Sequence, residues 1–179
     1  MIGVTKRKDG VHMNILETTE LKKYYGAEPN ITKALDGVNL SVEKGEFVAI
    51  VGTSGSGKST LLNMIGGLDV PTSGKVFVDG TELSKLNEEQ LTIFRRRKIG
   101  FVFQNYNLVP VLNVYENIAL PVELDGGKVD KNFLEEVVGF LGLKEKLNSM
   151  PNNLSGGQQQ RVAIAVSYTH LRAHETRSN

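Results

Sequence analysis

The chain has 179 residues, 40% hydrophobic and 23% charged, with a formal net charge of +1. These values are ordinary for one globular domain able to bury a real core, and the near-neutral balance gives no general pull toward nucleic acid or anionic lipid. There is no cysteine, so disulfides and thiolate metal sites are excluded, and no apolar run approaches the ~18 residues of a membrane span.

In chain order, residues 1–12 are polar and pattern-poor, lack the apolar stretch of a secretory signal, and are expected to form a disordered extension, with Met13 an alternative start. From Asn14 to Val51 short β-like runs alternate with turn signals at Asp36-Gly37 and Lys44-Gly45. Phe47 to Val51 (FVAIV) is a continuous apolar run, as expected of a strand buried on both faces. A helix is predicted from Lys58 to about Ile65, ended by Gly66-Gly67. The segments KVFVDG and KIGFVFQ read as further strands, and between them Asn87 and Gln90 have the spacing of a capping box. After Gln104 the pattern turns helical: Leu134, Val137, Val138 and Leu141 fall on one face, and LDGGKVD separates two helices. Strands with helices between them, then a helical insertion, predict an α/β fold with a parallel sheet plus a helical subdomain.

The most informative stretch is GTSGSGKST, comprising Gly52, Thr53, Ser54, Gly55, Ser56, Gly57, Lys58, Ser59 and Thr60. It matches G-x-x-x-x-G-K-[ST] directly after a predicted strand and at a predicted helix start. Glycines let the backbone curl so that successive N–H groups face phosphate oxygens, and the helix N-terminus adds partial positive charge. Lys58 is placed to reach the β- and γ-phosphates and the Ser59 hydroxyl to ligate Mg²⁺. A plain glycine-rich strand-to-helix turn would not need the lysine. The loop implies a nucleoside triphosphate and by itself does not separate transporters from GTPases or kinases.

From about Ile15 to Ala165 the sequence resembles the ATP-binding cassette (ABC) ATPases, on three further stretches. LSGGQQQRVAIA matches the ABC signature, with Leu154, Ser155, Gly156, Gly157 and Gln158 at a helix start. The resemblance implies that the signature faces the γ-phosphate of ATP held by a second subunit, so that a homodimer of cassettes sandwiches two nucleotides. IGFVFQNYNL places Gln104 like the family's Q-loop glutamine, a catalytic-site residue expected to contact Mg²⁺ and the attacking water. In LKKYYG the family spacing L-x-K-x-Y falls on Leu21, Lys23 and Tyr25, which favours Tyr25 over Tyr24 as the residue stacking on adenine. The implied architecture is an α/β P-loop NTPase with a parallel core sheet, an antiparallel β subdomain and a helical subdomain, its ligands ATP and Mg²⁺.

The wording of GGLDVPTSGKVFVDG, RRRKIGFVFQNYNLVPVLNVYENIALP and LSGGQQQRVAIA is similar to cassettes serving lipoprotein release, macrolide export and antimicrobial-peptide export. What this implies is an ATP hydrolase subunit of an ABC transporter that couples ATP binding and hydrolysis to export or lipoprotein release. Its partner would be an FtsX-like transmembrane permease, placing the chain in the cytoplasm, peripheral on the inner face of the cell membrane. Nucleic acid is not expected as a partner. A soluble ABC-type ATPase acting on DNA or ribosomes is the alternative; such proteins typically carry a long coiled coil or a second cassette. Arg95 to Lys98 reads as a solvated helix end, and the sequons at Asn30 and Asn153 mean nothing without secretion. His170 and His174 have the i, i+4 spacing of a helical zinc pair, but no third ligand is evident.

Residues 166–179, VSYTHLRAHETRSN, match nothing in the family's continuation, which runs through an Asp-Glu strand motif, an Asp-containing loop and a switch histidine. Residues 13–165 are therefore expected to be an ABC ATPase domain missing its C-terminal part, and the tail to be foreign, from a frameshift or chimeric junction. On that reading these residues bind nucleotide without hydrolysing it.

Overall fold

The computed structural model describes the backbone of residues 3–5 and 14–175 and the side chains of residues 14–173; the remainder of the expected extension, the side chain of His174 and residues 176–179 lie outside the described residues. Two compact units are distinguished, residues 1–93 and 94–179.

In the first unit a four-stranded antiparallel sheet is built from β2 (Asn14–Tyr25), β3 (Thr32–Glu43), β5 (Ser73–Val78) and β6 (Thr81–Glu82), in the order β3-β2-β5-β6. Two further short strands, β1 (Gly3–Thr5) and β4 (Ala49–Val51), pair antiparallel with each other. Helix α1 (Lys58–Ile65) packs on the larger sheet, burying Leu61 and Met64 in a core with Leu21, Leu35, Leu40 and Val76. Its end is a Schellman motif: Leu68 N–H bonds Asn63 C=O at 2.8 Å and Gly67 N–H bonds Met64 C=O at 3.1 Å, with Gly67 left-handed. The Gly66-Gly67 stop read from the sequence is therefore met.

Several expectations are corrected. Asp36-Gly37 is not a turn between strands but a bulge inside β3: Leu21 faces Val38 and Lys22 faces Asp36, leaving Gly37 as the extra residue at φ 82°. Buried Thr18 stabilises the neighbouring part of this ladder, its hydroxyl donating to Val38 C=O and accepting from Leu40 N–H. The run Phe47 to Val51 is not a strand buried on both faces; β4 spans three residues, Phe47 is 90% exposed and Val51 is exposed. Its ladder partner is Gly3–Thr5, part of the segment expected to lack structure. All strand pairs among the described residues are antiparallel, so the expected parallel sheet is not formed there. An apolar run specifies a strand's composition, but only neighbouring strands supply the ladder and the second covering face.

Helix α2 (Glu88–Lys98) starts with the expected capping box: Asn87 Oδ1 accepts from Gln90 N–H at 2.8 Å and Gln90 Oε1 from Asn87 N–H at 3.0 Å. The second unit is helical, formed by α3 (Val114–Leu124), α4 (Lys131–Phe140) and α5 (Gly156–Glu175). Asn113 caps α3 in a capping box with Glu116, and Asp130 caps α4. Val114, Ile118, Leu134, Val137, Val138 and Val162 lie at its core, in keeping with the helical face read from Leu134, Val137 and Val138.

One expectation fails in this unit. Residues 99–104 form no strand; Gly100 instead lies so close to α5 that a Cβ there would sit 2.4 Å from Ser167 Oγ. The helix continues through Val166, where the expected foreign tail begins. α5 runs 20 residues, burying Val162, Ala165 and Thr169 at helical spacing, with Tyr168 and Arg172 against the Phe133 ring at 5.6 and 4.3 Å between centres.

Candidate functional site

The phosphate loop has a backbone made for an anion. Gly55 and Gly57 take left-handed φ values of 77° and 88°. At Gly57 this is forced twice over, since a Cβ would also lie 2.2 Å from Ala34 C=O on β3. Gly57 is the N-cap of α1, and it provides no side-chain cap; no acidic residue stands in the first turn. The first N–H groups of α1 therefore face outward without a protein anion against them, the arrangement that binds phosphate. Lys58 arches back over the loop, its Nζ donating to Gly52 C=O at 2.9 Å, Thr53 C=O at 2.7 Å and Ser56 Oγ at 3.4 Å. Those neutral acceptors leave the full ammonium charge available to a ligand. Ser59 is exposed in the first turn, and Thr60 is half-buried beside it.

The aromatic position is resolved by what each tyrosine touches. Tyr24 donates its hydroxyl to Asp36, and Lys33 Nζ lies 5.2 Å from its ring centre. That bond raises the phenol's pKa and lowers that of Asp36. Tyr25 is 42% exposed, at the end of β2. Its hydroxyl donates to Asp69 Oδ2 at 3.0 Å, and Lys23 Nζ stands 5.0 Å from its ring centre. Lys23 in turn donates to Asp69 Oδ1 at 2.7 Å, which holds that carboxyl below the usual carboxylate range. Tyr25→Ala is expected to weaken ATP binding by on the order of 1 kcal/mol through loss of a stacking face, with Tyr24→Ala near neutral. Equilibrium titration of both variants checks it; the reverse order would move the stacking role to Tyr24.

In the second unit Ser155 caps α5. Its Oγ accepts from Gln158 N–H at 3.3 Å and its own N–H donates to Gln158 Oε1 at 2.8 Å. The serine and glutamine of the signature are thus a reciprocal capping box. Gln159 Nε2 ties Pro151 and Leu154 C=O to the same helix start, and Leu154 is buried in the core. The glycines are different: a Cβ on Gly156 would stand 3.5 Å from Tyr106 Oη and one on Gly157 3.9 Å from Arg161 Nη1, both ordinary contacts. The fold does not require glycine at either place, and in a helix glycine costs roughly 0.5–1 kcal/mol relative to alanine.

Gln104 is exposed and sits in a turn, not at a strand end as expected. The turn is strained: Tyr106 and Asn107 are consecutive left-handed residues, φ 60° and 51°. Tyr106 brings this turn beside Gly156, so the structure places the Gln104 and signature segments together. Within their own unit, Tyr25 and the phosphate loop are linked through Asp69, which follows the end of α1. Reading the sequence singled out neither Asp69 nor Tyr106, because their roles arise from contacts across the fold. The loop's residues fit a magnesium nucleotide: Mg²⁺ keeps most of its waters and asks the protein for few oxygens, which the exposed Ser59 hydroxyl can offer. Among the described residues no helix is long and apolar enough to cross a membrane.

Comparison with known proteins agrees with this geometry. The family described as ABC transporter matches residues 35–171, a span that runs past Ala165. The chain is 48% identical over 155 residues to the macrolide export ATP-binding/permease protein MacB of Mannheimia succiniciproducens, covering 86% of this chain and 24% of that protein. It is 48% identical over 153 residues to an uncharacterized ABC transporter ATP-binding protein of Thermotoga maritima, covering 84% and 65%. With the bacitracin export ATP-binding protein BceA of Halalkalibacterium halodurans it shares 42% over 161 residues, covering 88% and 63%. The chain thus spans from about a quarter to under two thirds of these relatives. Among solved structures, the dimeric ABC transporter cassette MJ0796 superposes with a TM-score of 0.75 at 42% identity, covering 87% of this chain and 69% of the other. A dimeric post-hydrolysis state of that cassette, bound to ADP and Pi, gives 0.73 at 41% identity, with the same coverage. A P-loop on an uncapped helix, a signature at a second helix start and these likenesses lead to one assignment: the chain belongs to the ABC transporter family and is an ATP-binding domain of it.

Proposed function

We propose that the chain acts as the ATP-binding subunit of an export-type ABC transporter, with two copies sandwiching two ATP molecules. The observation that carries ATP binding is the phosphate loop, where Lys58 arches over the uncapped start of α1 without an acidic residue in its first turn; export and pairing rest on the relatives. Lys58 binds the β- and γ-phosphates, the loop N–H groups orient them, and Tyr25 takes the base. Ser59 would offer its hydroxyl to Mg²⁺, which when bound neutralises charge on the phosphates. By its likeness to the family's Q-loop glutamine, Gln104 would contact Mg²⁺ and orient the attacking water. The names of MacB and BceA support export, and the dimeric MJ0796 cassettes support pairing. The permease would be FtsX-like, its cargo a lipoprotein, macrolide or peptide, and the chain peripheral on the inner face of the cell membrane.

The two signature glycines support the sandwich, since they leave the start of α5 open to a group arriving from outside. Gly156→Ala is expected to keep or slightly raise the melting temperature while weakening ATP-dependent self-association at least tenfold. Sedimentation with and without MgATP, beside a thermal melt, tests it. Self-association that ignores ATP, or survives Gly156→Ala unchanged, contradicts the sandwich.

A further inference from the structure

We propose that Lys23 and Asp69 are positioning residues that lock the Tyr25 ring in the orientation that receives the nucleotide base. The proposal rests on Tyr25 being the base-stacking residue.

A tyrosine at an exposed strand end can swing about two side-chain torsions, and a stacking partner that swings loses entropy on every binding event. Tyr25 is held at two points. Its hydroxyl donates to Asp69 Oδ2 at 3.0 Å, and the Lys23 ammonium lies 5.0 Å from its ring centre. Lys23 and Tyr25 are two residues apart on β2 and so share a face of the strand. The holders are themselves held. Lys23 Nζ, its side chain only 14% exposed, donates to Asp69 Oδ1 at 2.7 Å and to Val70 C=O at 2.8 Å. Asp69 Oδ1 also accepts from Val70 N–H at 2.7 Å. An isolated surface ion pair contributes little; this one is partly buried, anchored to backbone on both sides, and shared with an aromatic hydroxyl.

The placement of Asp69 adds a purpose. It follows directly on Leu68, the residue that closes the Schellman motif of α1, while Lys58 opens the same helix. An eight-residue helix is about 12 Å long. One short rigid rod therefore carries the phosphate-binding end and fixes the base-binding end. With the ammonium over one face of the ring, the opposite face is the one left for a flat partner, and the cation polarises the ring it covers.

The test compares MgATP with magnesium tripolyphosphate, which has the phosphates and lacks the base, on the full chain by equilibrium titration. Asp69→Asn and Lys23→Met are each expected to weaken MgATP about three- to fivefold, no more than Tyr25→Ala does, and to leave tripolyphosphate unchanged. Combined with Tyr25→Ala, either is expected to add nothing further, because the ring it positions is gone. Equal weakening of both ligands, or full additivity with Tyr25→Ala, would show a structural role and overturn the proposal. If Tyr25→Ala alone leaves MgATP affinity unchanged, the stacking reading fails and the positioning role falls with it. Should Asp69→Asn not fold, Tyr25→Phe removes the hydroxyl bond alone. It is expected to weaken MgATP and spare tripolyphosphate, and unchanged MgATP affinity there overturns the proposal.

Discussion

Lys58→Ala is expected to remove measurable MgATP binding while leaving the fold intact. The ammonium is the one charge built into the loop for the phosphates, and charge-assisted bonds to two phosphate groups contribute on the order of 3 kcal/mol together, at least a hundredfold in Kd. Removing it strands little, because two of its three acceptors, Gly52 and Thr53 C=O, belong to exposed residues open to water. Titration calorimetry reads the affinity, and circular dichroism reads the fold. Undiminished affinity in a folded variant would move the nucleotide site away from this loop.

Asn117→Ala is expected to destabilise the helical unit by about 3 kcal/mol without touching the nucleotide loop. Asn117 is 4% exposed and makes four bonds to the segment leading into α3. Its Nδ2 donates to Val109 C=O at 3.1 Å and to Leu112 and Asn113 C=O at 2.9 Å, and its Oδ1 accepts from Val109 N–H at 2.7 Å. Alanine removes the side-chain partner of Val109 N–H and Leu112 C=O, while Val109 and Asn113 C=O keep their backbone bonds from Leu112 and Asn117 N–H. Chemical denaturation checks it; a loss under 1 kcal/mol would mean that water replaces the side chain at no cost.

The contrast between these residues shows which features a sequence carries on its face. Lys58 was legible because the chemistry of phosphate fixes the residue types and spacing of four positions within eight consecutive ones. The bounds of α1 and the Asn87–Gln90 box were legible for a related reason: both are decided within one or two helical turns by local hydrogen bonds. Asn117, Asp69 and Tyr106 were not, since an asparagine, an aspartate and a tyrosine acquire their roles from partners elsewhere in the fold. The strand expectations failed wherever the ladder decides. Phe47 to Val51 and residues 99–104 have strand composition, yet the first pairs over three residues and the second is drawn onto α5. Gly37 misled in the same manner, because Asp-Gly marks a hairpin turn and a bulge alike, and only the register on β2 tells them apart. From Val166 on, where a foreign tail was expected, the helix continues with Thr169 buried and Tyr168 against Phe133 of α4, and the family match itself runs to residue 171.

The central claim, that ATP lies with its phosphates on the start of α1 and its base on Tyr25, is tested most directly by following the amide and ring resonances of the purified chain while MgATP is titrated in. Saturable shifts are expected at the backbone N–H groups of Gly55, Gly57 and Ser59 and at the Tyr25 ring, with tripolyphosphate moving the loop amides alone. Saturable binding that leaves those amides and that ring unmoved would contradict the account.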